Sequence, residues 1–183
     1  KTRSITKVIA PMSGEEQIRA MARDAENRLW IAEDDLSYWD KNTQKLDRNL
    51  STNYNATTRY MLTQDILRYE DDMIVGVRTN GLWIFRHQPE NPEHYFKGER
   101  TTFEELNDKN ISVLYEDHAK NIWIGTYDNG LYKCNLEKQE IHHYNKDNGL
   151  VHNSICAILE VPARIYGYLP STDCHRSNRM ESS

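Results

Sequence analysis

The chain has 183 residues, 38% of them hydrophobic, 28% charged and 10% aromatic, with a formal net charge of -5. Eleven Tyr and four Trp exclude a disordered segment, which would be poor in aromatics. The acidic balance leaves no electrostatic footprint for nucleic acid, and no apolar run approaches the ~20 residues of a membrane-spanning helix.

Three Cys without a C-x-x-C spacing frame neither a disulfide scaffold nor a zinc site. The chain opens at Lys1 with no Met and no signal peptide, so it is expected to be an internal or processed piece.

Taken in chain order, the first element is a short apolar stretch, Ile5–Ala10, expected as a strand from a neighbouring element. A unit then recurs. Ile18–Ala32 is its first copy, Asp65–Leu82 the second, and Ser112–Leu131 the third and clearest. A fourth copy opens at Asn153-Ser-Ile-Cys-Ala-Ile-Leu-Glu160. Gly76 and Gly81 match Gly125 and Gly130 at an offset of 49, and Trp30 and Ala32 match Trp123 and Gly125 at an offset of 93. Such spacings fall in the ~40–50-residue range of four-stranded propeller blades.

Within a copy the pattern is that of strands. Ser112, Leu114 and Glu116 alternate with Val113 and Tyr115, and Ile122-Trp123-Ile124 forms a short apolar run. Asp117–Asn121 reads as the first turn, Tyr127–Gly130 or Thr79–Gly81 as the second, and Ile141–Tyr144 as the last strand. Asn-Gly suits a tight hairpin because both residues tolerate positive φ.

The expected architecture is all-β, a partial β-propeller of four-stranded antiparallel blades at residues 18–62, 63–108 and 109–150, with the next begun at 151–160. Trp30, Gly76, Gly81, Trp123, Gly125 and Gly130 are expected to be structural, since a blade cannot cover both faces alone and must stack on its neighbours. An open stack leaves an apolar face at each end, so the isolated chain is expected to be poorly stable or to associate with further blades.

These residues give the chain a family resemblance. Val113, Glu116, Asp117, Ile122, Trp123, Ile124, Gly125, Thr126, Gly130 and Leu131, followed by Tyr144, Asn148-Gly149-Leu150 and Ile155, make it resemble the two-component-regulator propeller repeat. The resemblance covers about residues 18–160. It implies the periplasmic sensor region of hybrid two-component histidine kinase/response regulators, responding to carbohydrate fragments. The kinase would belong to the parent protein and not to this segment. The implied partners are an oligosaccharide, the remaining blades of the parent and a homodimer partner, with no cofactor and no membrane insertion. The alternative reading is a stand-alone interaction scaffold; an enzyme comes third.

After Glu160 the repeat should continue as Asp, a turn and a Trp strand, but the sequence reads Val161-Pro-Ala-Arg-Ile-Tyr-Gly-Tyr-Leu-Pro170. Codons exist for this stretch in which restoring one base inside the first yields Asp-Ser-Arg-Gln-Asn-Ile-Trp-Leu-Ser-Thr, the missing strand in register. A single-base deletion is therefore expected in the gene, leaving 161–183 as an aberrant tail. The alternative is an ordinary divergent terminus, and resequencing the gene decides between them.

Catalytic chemistry is not expected. The carboxylate groups Glu33-Asp34-Asp35, Glu70-Asp71-Asp72 and Glu116-Asp117 fall in turns and strand ends, where Asp supports the turn itself. His142 and His143 follow no metal-binding spacing and suit a solvated strand end, while Cys134 and Cys156 are expected as small buried hydrophobes. For ligand binding the candidates are Tyr38, Trp39, Trp83, Tyr127 and Asp128, in or beside the second hairpin of each copy. Aromatic faces suit sugar rings and loops carry binding groups, although Trp83 and Tyr132 also recur as packing positions would.

Overall fold

The computed structural model describes residues 17–33, 36–40, 45–47, 62–91, 96–161, 164–168 and 178–181. The expected Ile5–Ala10 strand, Asp34, Asp35 and Cys174 lie outside them. Strands β1 (Ala20–Arg23), β2 (Leu29–Ala32), β3 (Leu36–Asp40) and β4 (Lys45–Asp47) form the first sheet. The second comprises β5 (Thr63–Tyr69), β6 (Asp72–Val77), β7 (Gly81–His87) and β8 (Phe96–Arg100). The third comprises β9 (Ile111–Glu116), β10 (Ile122–Thr126), β11 (Leu131–Asn135) and β12 (Glu140–Tyr144). In the fourth, β13 (Ala157–Val161), β14 (Arg164–Tyr168) and β15 (Asn178–Glu181) pair in order. Every pairing is antiparallel between chain neighbours, the meander of a propeller blade. Among the described residues no helix is long and apolar enough to cross a membrane.

Local chemistry fixes each meander. The second turns close at Gly81 and Gly130, with φ of +73° and +88°. A Cβ there would lie 2.2 Å from the carbonyl oxygens of Leu106 and Tyr144, so only glycine fits. The same two residues tie each turn to the link entering the next sheet. Gly81 N donates to Lys109 O (3.2 Å) and Gly130 N to Asn153 O (2.7 Å).

The first turns carry a device of their own. Asp24 accepts from the indole Nε1–H of Trp30 (2.9 Å) and from Glu26 N and Arg28 N. Asp117 accepts from Trp123 Nε1–H (2.8 Å), Ala119 N and Asn121 N. In the second sheet Ile74 stands where the Trp would be, and the first turn shortens to Glu70-Asp71, with no Asp in the clasping place. The two partners are lost together, as a buried donor without its acceptor would be costly.

Stacking follows from the faces of the second strands. Trp30 lies in a core with Met73, Val75, Trp83, Phe85 and Phe96 of the second sheet. Ile74 lies with Ile111, Leu114, Ile122 and Ile124 of the third. Trp123 lies with Leu150, Ile155 and Ile165 at the fourth. The three residues thus occupy equivalent places, each facing the following sheet. Gly76 and Gly125 allow that approach: a Cβ on Gly76 would lie 2.5 Å from Ile111 Cγ2, and one on Gly125 2.9 Å from Ile155 Cγ2. At Gly76 the close neighbour is a side chain of the next sheet; at Gly125 it is Val113 Cγ1 of its own sheet, at 2.6 Å, with Ile155 next.

In the tail, β14 pairs with β13, and Ile165 is buried in the Trp123 core. Glu160 pairs with Ile165 as Glu116 pairs with Ile122, but only two residues separate the strands in place of Asp117–Asn121. Among the described residues the fourth sheet therefore shows no aspartate clasp. The expected frame change concerns the gene and is decided there.

Candidate ligand-binding site

One rim of the stack gathers the second turns and the links between sheets. At this rim the blades differ in sequence where packing makes no demand. The position after the three buried residues that follow Trp30, Ile74 and Trp123 is Asp34, Arg78 and Tyr127 in successive copies. Tyr127 is 39% exposed. Its backbone N donates to Asn110 O (3.0 Å), and its hydroxyl donates to Gln64 Oε1 (2.9 Å) on β5 of the preceding sheet. The Arg78 guanidinium lies 5.6 Å from the centre of the Tyr127 ring, a cation–π distance. Asn110 Nδ2 donates to Asp128 Oδ2 (2.9 Å). Tyr127 therefore straps the seam between the second and third sheets while leaving part of its ring in water.

Beneath the strap, Asp65 joins the inner strands. Its carboxylate accepts from Leu114 N (2.8 Å) of the third sheet and from Ile66 N (2.9 Å) of its own. Burial pushes the Asp65 carboxyl above the usual range, and these two amide bonds only partly oppose the rise.

Of the expected ligand-binding residues, Tyr127 and Asp128 are exposed and adjacent, whereas Tyr38 and Trp83 are buried in the core between the first two sheets. Tyr38 stacks on Trp30 with centroids 5.8 Å apart. Trp83 carries Arg100 over its ring at 5.5 Å and donates its indole N–H to Asn80 O (3.3 Å). Trp39 is half-buried on the opposite face of β3. The five do not form one surface. Gln64, Arg78 and Asn110 complete the Tyr127 cluster and were not singled out from sequence. The available signal was disagreement between the repeats, since Arg78 and Tyr127 share one repeat position.

The carboxylates expected in turns have partners. Asp72 accepts from Arg86 Nη1 (2.6 Å) and His87 N (2.9 Å), and Glu116 pairs with Lys120 (2.6 Å). His143 differs from the solvated strand end expected: its ring stacks on Tyr132 at 4.2 Å and bonds Asn129 O (2.6 Å). Cys134 is buried, with its thiol pushed up to about 12 by burial. Cys156 is exposed instead of buried, because the neighbouring Ile155 takes the inward place.

A polar groove of about 240 Å³ on the outer strands of the third sheet is lined by Asn121, Lys133, Asn135, Lys138, Glu140 and His142. It falls below the ~300–1,000 Å³ of typical small-molecule sites.

Comparison with known proteins places the third blade. Residues 105–128 match the two component regulator propeller family. No curated protein sequence matches the chain. Among solved structures, the extracellular domain described as that of a hybrid two component system from B. thetaiotaomicron superposes with a TM-score of 0.60 at 13% identity, covering 82% of this chain and 22% of that one. A computationally designed protein, Ika4, gives 0.59 at 10% identity over 98% of this chain and all of its own. PorZ, a surface component of the type-IX secretion system of Porphyromonas gingivalis, gives 0.51 at 11% identity over 91% and 33%. The chain thus spans under a quarter of the B. thetaiotaomicron domain. At these identities the likeness is one of fold, and the shared fold is the β-propeller.

Proposed function

We propose that this chain is part of the extracytoplasmic, periplasmic input region of a hybrid two-component regulator, and that its Tyr127 rim binds a carbohydrate. Further blades of the parent protein complete the propeller, and the kinase lies elsewhere in that parent. The propeller repeat at 105–128 supports the regulatory context. The observation that carries the binding site is Tyr127, a partly exposed ring anchored at its hydroxyl to a different sheet. Its ring offers a stacking face, while Asn110, Gln64 and Asp128 offer donors and acceptors for hydroxyl groups beside it. A ligand touching both Tyr127 and Arg78 bridges two sheets, so binding would stiffen their seam.

Titration of the chain against a panel of neutral and acidic oligosaccharides tests this. At least one should bind, and Tyr127→Ala should weaken it by roughly tenfold, the effect of losing about 1.4 kcal/mol. Tyr38→Phe should leave affinity unchanged. Binding indifferent to Tyr127, Arg78 and Asn110 would move the site elsewhere, and absence of any glycan binding by the folded chain would favour the scaffold reading.

A further inference from the structure

Asn-Gly occurs three times in the chain, at 80–81, 129–130 and 148–149. The pair is chemically labile because glycine sets no Cβ beside its nitrogen, which can therefore reach the preceding side-chain amide. The structure treats the three pairs differently. Gly81 and Gly130 are buried and their nitrogens are engaged, donating to Lys109 O (3.2 Å) and Asn153 O (2.7 Å). Asn148 and Gly149 are both exposed. They follow a short 3-10 turn, Lys146–Asn148, in which Asn148 N donates to Asn145 O (3.2 Å); Leu150 N then donates to the same oxygen (2.9 Å). Gly149 N stands between these two donors and has no acceptor among the described residues.

The Asn148 side chain is also polarised. Its Oδ1 accepts from Asn145 N (2.6 Å), and its Nδ2 donates to His143 O (2.8 Å). Attack on Cγ would place negative charge on Oδ1, where a backbone N–H already points. The segment is tied to the sheets on both sides. Leu150 is buried with Trp123 and Ile155, and Lys146 N donates to Asn153 Oδ1 (2.8 Å). The His143 ring in turn bonds Asn129 O, in the turn that carries Tyr127.

We propose that Asn148-Gly149 is a modification site, deamidating spontaneously to aspartate and isoaspartate and so loosening the link between the third and fourth sheets. Gly149 N–H gives its proton to hydroxide, and the nitrogen bonds to Asn148 Cγ. The Cγ–Nδ2 bond breaks, and ammonia leaves with a proton taken from water. Water then opens the succinimide ring. Opening at the side-chain carbonyl gives aspartate, whereas opening at the backbone carbonyl routes the chain through the side chain as isoaspartate. Either product loses the donor to His143 O, and isoaspartate adds one carbon to the backbone just ahead of buried Leu150. The chemistry needs only water and is independent of the function proposed above.

Trypsin places the three pairs in separate peptides, 79–86, 121–133 and 147–164. The full chain is aged at mildly alkaline pH, folded and in urea, and conversion is followed by tandem mass spectrometry, which separates Asn148 from Asn153. In the folded chain Asn148 should convert about tenfold or more faster than Asn80 and Asn129, whose glycine nitrogens react only on local opening. In urea the three rates should converge, because the hydrogen bonds that rank them are gone. Chain converted at Asn148 should lose roughly 2–4 °C in Tm, the scale of one lost hydrogen bond. Gly149→Ala, aged alike, should convert more slowly at Asn148 and keep its own starting Tm. A smaller lead at Asn148 in the folded chain, or none, would overturn the proposal, as would an unchanged Tm after conversion.

Discussion

Asp117 shows how a single side chain couples a turn to the core. Burial alone would push its carboxyl up, but Asn121, Trp123 and Ala119 donate to the carboxylate and hold it below its usual value. With the folded value depressed, the stabilisation is present above the unfolded value near 4 and is lost as pH falls through the folded one. Asp117→Ala should therefore lower stability at pH 7 by about 1–3 kcal/mol, because the Trp123 indole N–H loses its acceptor. The gap between variant and parent should narrow as pH falls below about 4. Urea denaturation at pH 7 and pH 3 checks this; a gap that stays constant with pH would mean that charge at Asp117 is irrelevant. At this scale the sequence was only half legible. The Trp positions stood out because they repeat, but the aspartate looked like a turn former, and its bond to a Trp six residues on required the strand register.

At the scale of the strand and turn, the meander was readable in advance. The sequence pattern located β9 and β12 of the third sheet to within a residue, and the Asn-Gly turns closed where expected. Gly130 makes the strictest demand, since both its φ and the Tyr144 carbonyl exclude a side chain. Gly130→Ala should cost more than the ~1 kcal/mol of an ordinary glycine replacement, since positive φ and the clash combine. Ala substitution at Gly149, which has positive φ but no atom within 4 Å, should cost less. Thermal melts of the two variants compare them directly, and equal losses would leave the Tyr144 contact without effect. The binding rim was less legible for the opposite reason. Tyr38 and Trp83 attract notice as aromatics, yet alternation places them between sheets, whereas Gln64 and Asn110 are unremarkable residues made relevant by a neighbour from another sheet.

Across the whole molecule, three interfaces of one design join four sheets. Apolar groups stay exposed on outward positions at both ends, Met21 on the first sheet and Leu159 on the last. At two of the seams a glycine of the second strand lies close to the isoleucine that leads into the next sheet, Gly76 to Ile111 and Gly125 to Ile155. That closeness accounts for the glycine or alanine at 32, 76 and 125 in copies with little else in common. Repetition made the architecture legible from sequence, while the close contacts across the seams are visible only once neighbouring sheets are paired.

A double-mutant cycle at Gly76 and Ile111 tests the stacking most directly. Gly76→Ala alone should destabilise by about 1–3 kcal/mol through overpacking. Adding Ile111→Ala, which removes the Cγ2 that a Cβ at Gly76 would meet, should relieve that clash and give a favourable coupling of about 0.5–3 kcal/mol. Strictly additive losses would place the two residues apart and contradict face-to-face stacking of these sheets.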